Sequence, residues 1–224
     1  QQNRADILHA GLYAALGLFI GGKLFYFLTI WPELSQHWAQ LWGNKQLLLA
    51  LFATGFVFYG GLLGAIGGVW CYTRQFHLSF WAILETLIPA VPLIHACGRL
   101  GCFCAGCCYG IPWRYPGAVV FPEGSFALAN TPLAPVQLWE AGCNILICIA
   151  LLFFTKKQRL CGQVIGLYSI LYAICRFILE FYRGDINRGF WCGLATSQWF
   201  SLALLPVGFF FFFFFSRCHS QHSR

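Results

Sequence analysis

Six separate stretches of about 20 nearly uncharged residues dominate this sequence, at roughly 7–30, 47–72, 81–105, 136–154, 163–182 and 194–215. A helix of that length matches the hydrocarbon thickness of a bilayer, and only helices or closed barrels satisfy every backbone polar group in lipid. The repeated pattern therefore predicts an all-α, polytopic transmembrane helical bundle, read as one domain over residues 1–224 with six spans and an external loop region at 106–135. Charged residues make up 9% of the chain, against about a quarter in soluble domains, so an ordinary aqueous fold is excluded.

A surplus of 14 basic over 7 acidic residues could suggest nucleic acid, but the basic residues gather in the short connections, as membrane orientation requires. No nucleic-acid partner is implied. Arg4, Arg74, Lys156, Lys157, Arg159, Arg217 and Arg224 fall on one side of the expected topology, and Lys45, Arg114, Arg183 and Arg188 on the other. The richer side is expected to be cytoplasmic. The loop 106–135, with Trp113, Tyr115 and Phe121, then lies outside as a candidate lid or substrate platform.

That topology gives each intramembrane ionisable group a depth. Lys23, Arg99, Glu140, Arg176 and Glu180 all fall in the outer half, with Glu85 on the inner side. Ionisable residues in a span are costly and mark functional sites by default. Tyr172, Arg176 and Glu180 recur every four residues, so they share one helix face. The alternative for this stripe is an internal Arg176–Glu180 pair that merely neutralises itself. A second arginine at the same depth, Arg99, favours a shared anion, since two guanidinium forks suit a phosphate. The phosphate available there is a phospholipid head group.

Arg99 sits in GRLGCFCAGCCYG, residues 98–110, whose glycines at 98, 101, 106 and 110 permit close backbone approach. Four cysteines follow: Cys102, Cys104, Cys107 and Cys108. Most of the twelve cysteines read as small buried hydrophobes. Elsewhere, Gly60, Gly64 and Gly68 form a small-residue ridge suited to helix packing. Pro89 and Pro92 are expected to bend the third span, and the run Phe209 to Phe215 reads as a lipid-facing end.

Together these residues resemble the prolipoprotein diacylglyceryl transferases, integral enzymes of the bacterial cytoplasmic membrane. GRLGCFCAGCCYG is similar to their GRxGNFxNxExxG, APVQLWEA at 134–141 to HPxQLYE, YAICRFILEFYRGD at 172–185 to YxxxRFxxEFFR, and FYGGLLG at 58–64 to HGGLxG. The resemblance implies a further spanning helix upstream of Gln1. It also implies transfer of a diacylglyceryl group from phosphatidylglycerol to the lipobox cysteine of a preprolipoprotein, at a site facing the outer leaflet of the inner membrane. Arg99, Arg176, Glu180 and Tyr172 are the catalytic residues that it suggests. Gly60, Gly61, Gly98, Gly101, Gly110, Gln137 and Glu140 are the substrate-binding ones. No cofactor and no metal are expected.

Three positions depart from the family pattern: its signature His, Asn and Glu are here Tyr59, Cys102 and Cys107. All three are candidate catalytic residues: Tyr59 would serve as a base only with a strongly depressed pKa, whereas a thiolate at Cys102 or Cys107 held by Arg99 would supply a base or nucleophile. A disulfide and a metal site are the other readings of the cysteine group, the metal ranking last because its spacing is irregular for zinc. Two other functions compete with transfer: a membrane thiol–disulfide oxidoreductase using the outer-face cysteines, and a non-catalytic lipid-binding protein.

Overall fold

The computed structural model describes residues 3–36, 43–53, 55–157, 160–185 and 189–215; Arg159, Arg188, Arg217 and Arg224, which enter the charge asymmetry, lie outside them. The chain divides into two compact units, Gln1–Thr86 and Leu87–Arg224. Four helices, Arg4–Ser35, Val136–Thr155, Gln163–Tyr182 and Thr196–Phe215, are long and apolar enough to cross a membrane. Phe80–Leu87 and Ala90–Ala105 make a fifth if taken as one broken span. The protein is thus an all-α polytopic membrane protein.

In the first unit, α1 (Arg4–Gln36) packs along α3 (Phe58–Gln75). Glycines line both sides of the seam. A side chain on Gly64 would collide with the carbonyl of Gly17, one on Gly21 with that of Gly60, and one on Gly68 with that of Tyr13. The ridge read from the sequence is therefore a backbone-to-backbone contact, as small residues permit in membranes. Beyond the glycines, Tyr72 donates to Asp6 at 3.1 Å and Tyr13 to Gln75 at 3.2 Å.

The expected second span, 47–72, is interrupted. It is built as α2 (Lys45–Ala53) and α3, and Gly55 between them has φ +72°. That left-handed conformation suits glycine, and the ring of Tyr26 occupies the space that a side chain would need. The third span is broken as the prolines suggested. After α4 (Phe80–Leu87) the chain restarts at α5 (Ala90–Ala105), with Pro89 at its N-cap and Pro92 in its first turn, where a missing N–H costs nothing.

In the second unit, α6 (Val136–Thr155) packs against α5 and α7 (Gln163–Leu179), and α7 against α8 (Thr196–Phe209). Ile147, Leu151 and Val164 form the buried centre between α6 and α7, flanked by Leu167, Tyr168 and Leu171. The Phe run that follows α8 is not wholly turned outward. Phe212 and Phe215 lie against Gly166 and Gly162, while Phe210, Phe213 and Phe214 are exposed.

The 106–135 loop is folded. β1 (Val119–Val120) pairs antiparallel with β2 (Pro132–Leu133) over a small core of Phe121, Ala127 and Leu133. The loop is tied to the end of α7, since Ile111 N–H donates to Tyr182 O at 2.9 Å and Gly184 N–H to Tyr109 O at 2.9 Å. Trp113, Tyr115, Trp139 and Tyr182 meet there edge to face, with centroids 5.0–6.1 Å apart. Amphipathic rings of this kind favour the membrane boundary.

Candidate functional site

Helical spacing puts His95, Arg99 and Cys102 on successive turns of one side of α5, and Tyr172 and Arg176 on one stripe of α7 continued by Glu180 in the 3-10 turn Glu180–Tyr182. Between them, Glu140 projects from the second turn of α6. Its Oε2 lies 3.1 Å from Arg99 Nε and 3.5 Å from Arg176 Nη1. Arg176 also reaches Glu180 Oε2 at 2.8 Å through Nη2. Two guanidinium groups from different helices thus converge on one carboxylate oxygen.

His95 completes the cluster. Arg99 Nε donates to its Nε2 at 3.3 Å, Glu140 Oε1 stands 3.5 Å from the same nitrogen, and the Tyr172 ring is 5.5 Å away. As the acceptor from a guanidinium, the imidazole is neutral. His95 was not among the sequence candidates. The signal that could have found it is its place four residues before Arg99 in an apolar helix.

The charges balance, with two arginines against two carboxylates, but the exposures do not. Glu140 and Glu180 side chains are 4% and 2% exposed, while those of His95, Arg99 and Arg176 keep 18%, 16% and 11%. The open side of the cluster is therefore the cationic side. An incoming anion meets guanidinium before it meets carboxylate.

Beyond α5 the chain turns at Gly106, φ +72°, with Cys107 N–H donating to Cys102 O at 3.1 Å. This turn folds Cys107 and Cys108 back over Cys102, so that all three sulfurs lie within 4.8 Å of one another. All eleven described cysteines are unbridged, so no disulfide joins this group. Burial, with Cys102 and Cys108 adding to it, pushes the Cys107 thiol in this turn up to about 12.

The remaining candidates fall in several places. Gln137, 1% exposed, donates Nε2 to Cys107 O at 2.9 Å and so fixes the cysteine turn, while its Oε1 has no hydrogen-bond partner. Gly110 is a crossing point, because a side chain there would strike Ala134 and Val136. Gly98 and Gly101 face open space on α5. Tyr59, Gly60 and Gly61 belong to the first unit. There Gly60 packs on Phe25 and Gly21, Gly61 packs on Phe56 and Leu18, and Tyr59 is exposed. Lys23, in the same unit, stands 5.6 Å over the Tyr26 ring. Sequence reading also passed over Arg183, which makes a two-pronged pair with Asp185 at 3.0 and 2.7 Å beside the Gly110–Arg183 bridge.

Comparison with known proteins identifies relatives of the chain. The family model for prolipoprotein diacylglyceryl transferase matches residues 1–214. A phosphatidylglycerol–prolipoprotein diacylglyceryl transferase of Clostridium tetani is 34% identical over 208 residues, covering 93% of this chain and 80% of the relative. The second such transferase of Clostridium perfringens is 32% identical, covering 92% and 77%. That of Bordetella bronchiseptica is 34% identical, covering 88% and 72%.

Proposed function

The chain belongs to the prolipoprotein diacylglyceryl transferase family, and we propose that the cluster around Glu140 is where it carries out that transfer. The protein is a transferase that moves the diacylglyceryl group of phosphatidylglycerol to a lipoprotein cysteine. The observation that carries the assignment of the site is the convergence of Arg99 and Arg176 on a single oxygen of Glu140.

The phosphate of the lipid head group takes up the exposed faces of the two guanidinium groups, with Glu140 and Glu180 holding them from behind. The acceptor thiol gives its proton to solvent, and its sulfur forms a bond to the glyceryl carbon. The C–O bond to phosphate breaks, and its electron pair leaves with glycerol phosphate. Negative charge on the departing group grows as the bond breaks, and fixed guanidinium groups stabilise it there, typically by about 10²–10³ in rate per donor. The acceptor in this reading is the thiol of a preprolipoprotein lipobox, and the charge asymmetry of the connections supports a site that faces the outer leaflet of the bacterial inner membrane.

Transfer of radiolabelled glyceryl lipid to a lipobox peptide in proteoliposomes tests this assignment. Loss of transfer in Arg99→Gln and Arg176→Gln, with protein level and thermal stability kept, is the expected result. Full transfer in both variants would move the site away from the Glu140 cluster.

A further inference from the structure

We propose that Cys102, Cys107 and Cys108 hold one zinc ion whose open fourth position takes the acceptor thiol. The inference rests on the transferase assignment above for the identity of that thiol, and on the cysteine geometry for the site.

Zinc bound by thiolates sits about 2.3 Å from each sulfur, which in a tetrahedron sets the sulfurs about 3.8 Å apart. The three sulfurs here lie within 4.8 Å of one another, so closure takes about an ångström, within reach of side-chain rotation. The chain builds this arrangement at some cost. Cys108 adopts φ +55°, a left-handed conformation uncommon outside glycine, and it follows directly on the Gly106 turn. Gln137 clamps the Cys107 carbonyl from α6, and its Oε1 is buried without a hydrogen-bond partner.

A soft, all-sulfur set selects zinc or copper(I) over harder ions, and three protein ligands with one open position is the arrangement of catalytic zinc. All three cysteines are half-buried, so the set is not sealed. Gly98 and Gly101, which precede Cys102 by four and one residues on α5, each have open space where a side chain would stand. Three thiolates and one zinc carry a net charge of −1, and a fourth thiolate makes it −2. The Arg99 guanidinium interacts electrostatically with Cys102 and Cys108, and that of Arg183 with Cys108, so positive charge is already placed against the set.

The chemistry fits what the rest of the site lacks. Glu140 and Glu180 are tied to the arginines, and Tyr59, Cys102 and Cys107 stand where the family resemblance places a His, an Asn and a Glu. A thiol that coordinates zinc gives up its proton, here to solvent. Its sulfur then forms the C–S bond as the C–O bond to phosphate breaks and glycerol phosphate leaves. Nothing is oxidised or reduced, and the thioether product, a neutral and weaker ligand, departs from the ion.

The full chain, purified in detergent without an added metal-binding tag, is analysed for metal by mass spectrometry and again after incubation with zinc. One zinc per chain is expected, falling to background in Cys102→Ser, Cys107→Ser and Cys108→Ser but retained in Cys104→Ser. Replacing zinc by cobalt(II) then gives a thiolate-to-metal absorption band. That band should strengthen when a lipobox peptide is added, and should not respond to the same peptide with Ser for Cys. A chain that takes up no zinc overturns the site. A metal whose band ignores the peptide thiol overturns the open position, and copper(I) uptake without zinc overturns the zinc assignment. Zinc binding and thiol capture in a protein that transfers no lipid would leave this inference standing and remove the transferase assignment instead.

Discussion

Arg99 and Arg176 stand on different helices and meet at Oε2 of Glu140, at 3.1 and 3.5 Å. One carboxylate therefore fixes the spacing of two cations that would otherwise repel. The pair is held ready for an anion that brings more charge than Glu140 supplies.

Replacing either arginine by glutamine should lower kcat/KM for lipid transfer by about 10²–10³, the loss typical when one fixed donor to a developing anion is removed. Lysine should not restore the rate. Arg176 spans Glu140 through Nη1 and Glu180 through Nη2, a fork that a single ammonium cannot reproduce, and Arg99 meets Glu140 and His95 through Nε, part-way along the side chain, where lysine has no donor. Steady-state kinetics in proteoliposomes decide the matter, and a lysine variant at parental rate would contradict it.

Much of this was legible in the sequence, because charge in hydrocarbon is so costly that Arg99, Glu140, Arg176 and Glu180 stand out, and helical spacing brings Tyr172 and Arg176 to one face. The glycine seam was legible for the same reason of spacing. His95 was missed because neutral imidazole does not announce itself as a charge, although its position one turn from Arg99 fixes its role. The cysteine group stands out in the sequence, with a metal as its last-ranked reading, but that Cys102, Cys107 and Cys108 converge depends on a left-handed turn at Gly106 and Cys108, and nothing in a Cys-x4-Cys-Cys spacing sets those dihedrals. The broken second span was hidden in the same way, by the conformation of Gly55.

Glu140→Gln should destabilise the protein more than it impairs lipid binding. Removing one member of a buried ion cluster leaves the others uncompensated, at a cost of about 3–5 kcal/mol. Here two arginines would lose the carboxylate that they share, and phosphate is the natural replacement. Thermal unfolding in detergent should show a lowered Tm that a short-chain phosphatidylglycerol partly restores. A variant as stable as the parent would mean that Glu140 is not the hub of the cluster.

His95 is expected to act by positioning Arg99 rather than by taking the acceptor proton. His95→Gln keeps an acceptor for Arg99 Nε and should retain transfer within about tenfold, whereas removal of a general base costs about 10²–10⁴. His95→Leu, which offers no acceptor, should fall further and raise KM for the lipid. A His95→Gln variant as inactive as His95→Leu, with exogenous imidazole restoring both, would show that the imidazole itself moves the proton.

The seam between α1 and α3 gives a paired test of glycine. Gly64→Ala puts a methyl group into the Gly17 carbonyl, which neither helix can yield without separating, and overpacking of this kind costs about 1–3 kcal/mol. Gly67, on the same helix, has nothing within 4 Å of where a side chain would stand. Gly67→Ala should therefore be neutral or stabilising by up to about 1 kcal/mol, since alanine is the better helix former. Equal effects of the two substitutions on Tm would refute the close approach.

Gln137 offers a way to loosen the cysteine turn without touching a sulfur. Its Nε2 is the donor to the Cys107 carbonyl, 2.9 Å away, and the side chain is almost wholly buried. Gln137→Met preserves volume but leaves that carbonyl without its side-chain donor, at a cost of about 1–3 kcal/mol. Much of that cost should appear as disorder in the turn that brings Cys107 and Cys108 over Cys102. Groups that orient metal ligands typically contribute about 10–100-fold to metal affinity. The variant should therefore bind zinc more weakly by that factor in a competition titration with a chelator, and should lose transfer in proportion at limiting zinc, with the rate restored by excess zinc. Arg99→Gln, by contrast, should lose transfer at every zinc concentration. Unchanged zinc affinity in Gln137→Met would show that the turn holds its shape without the amide.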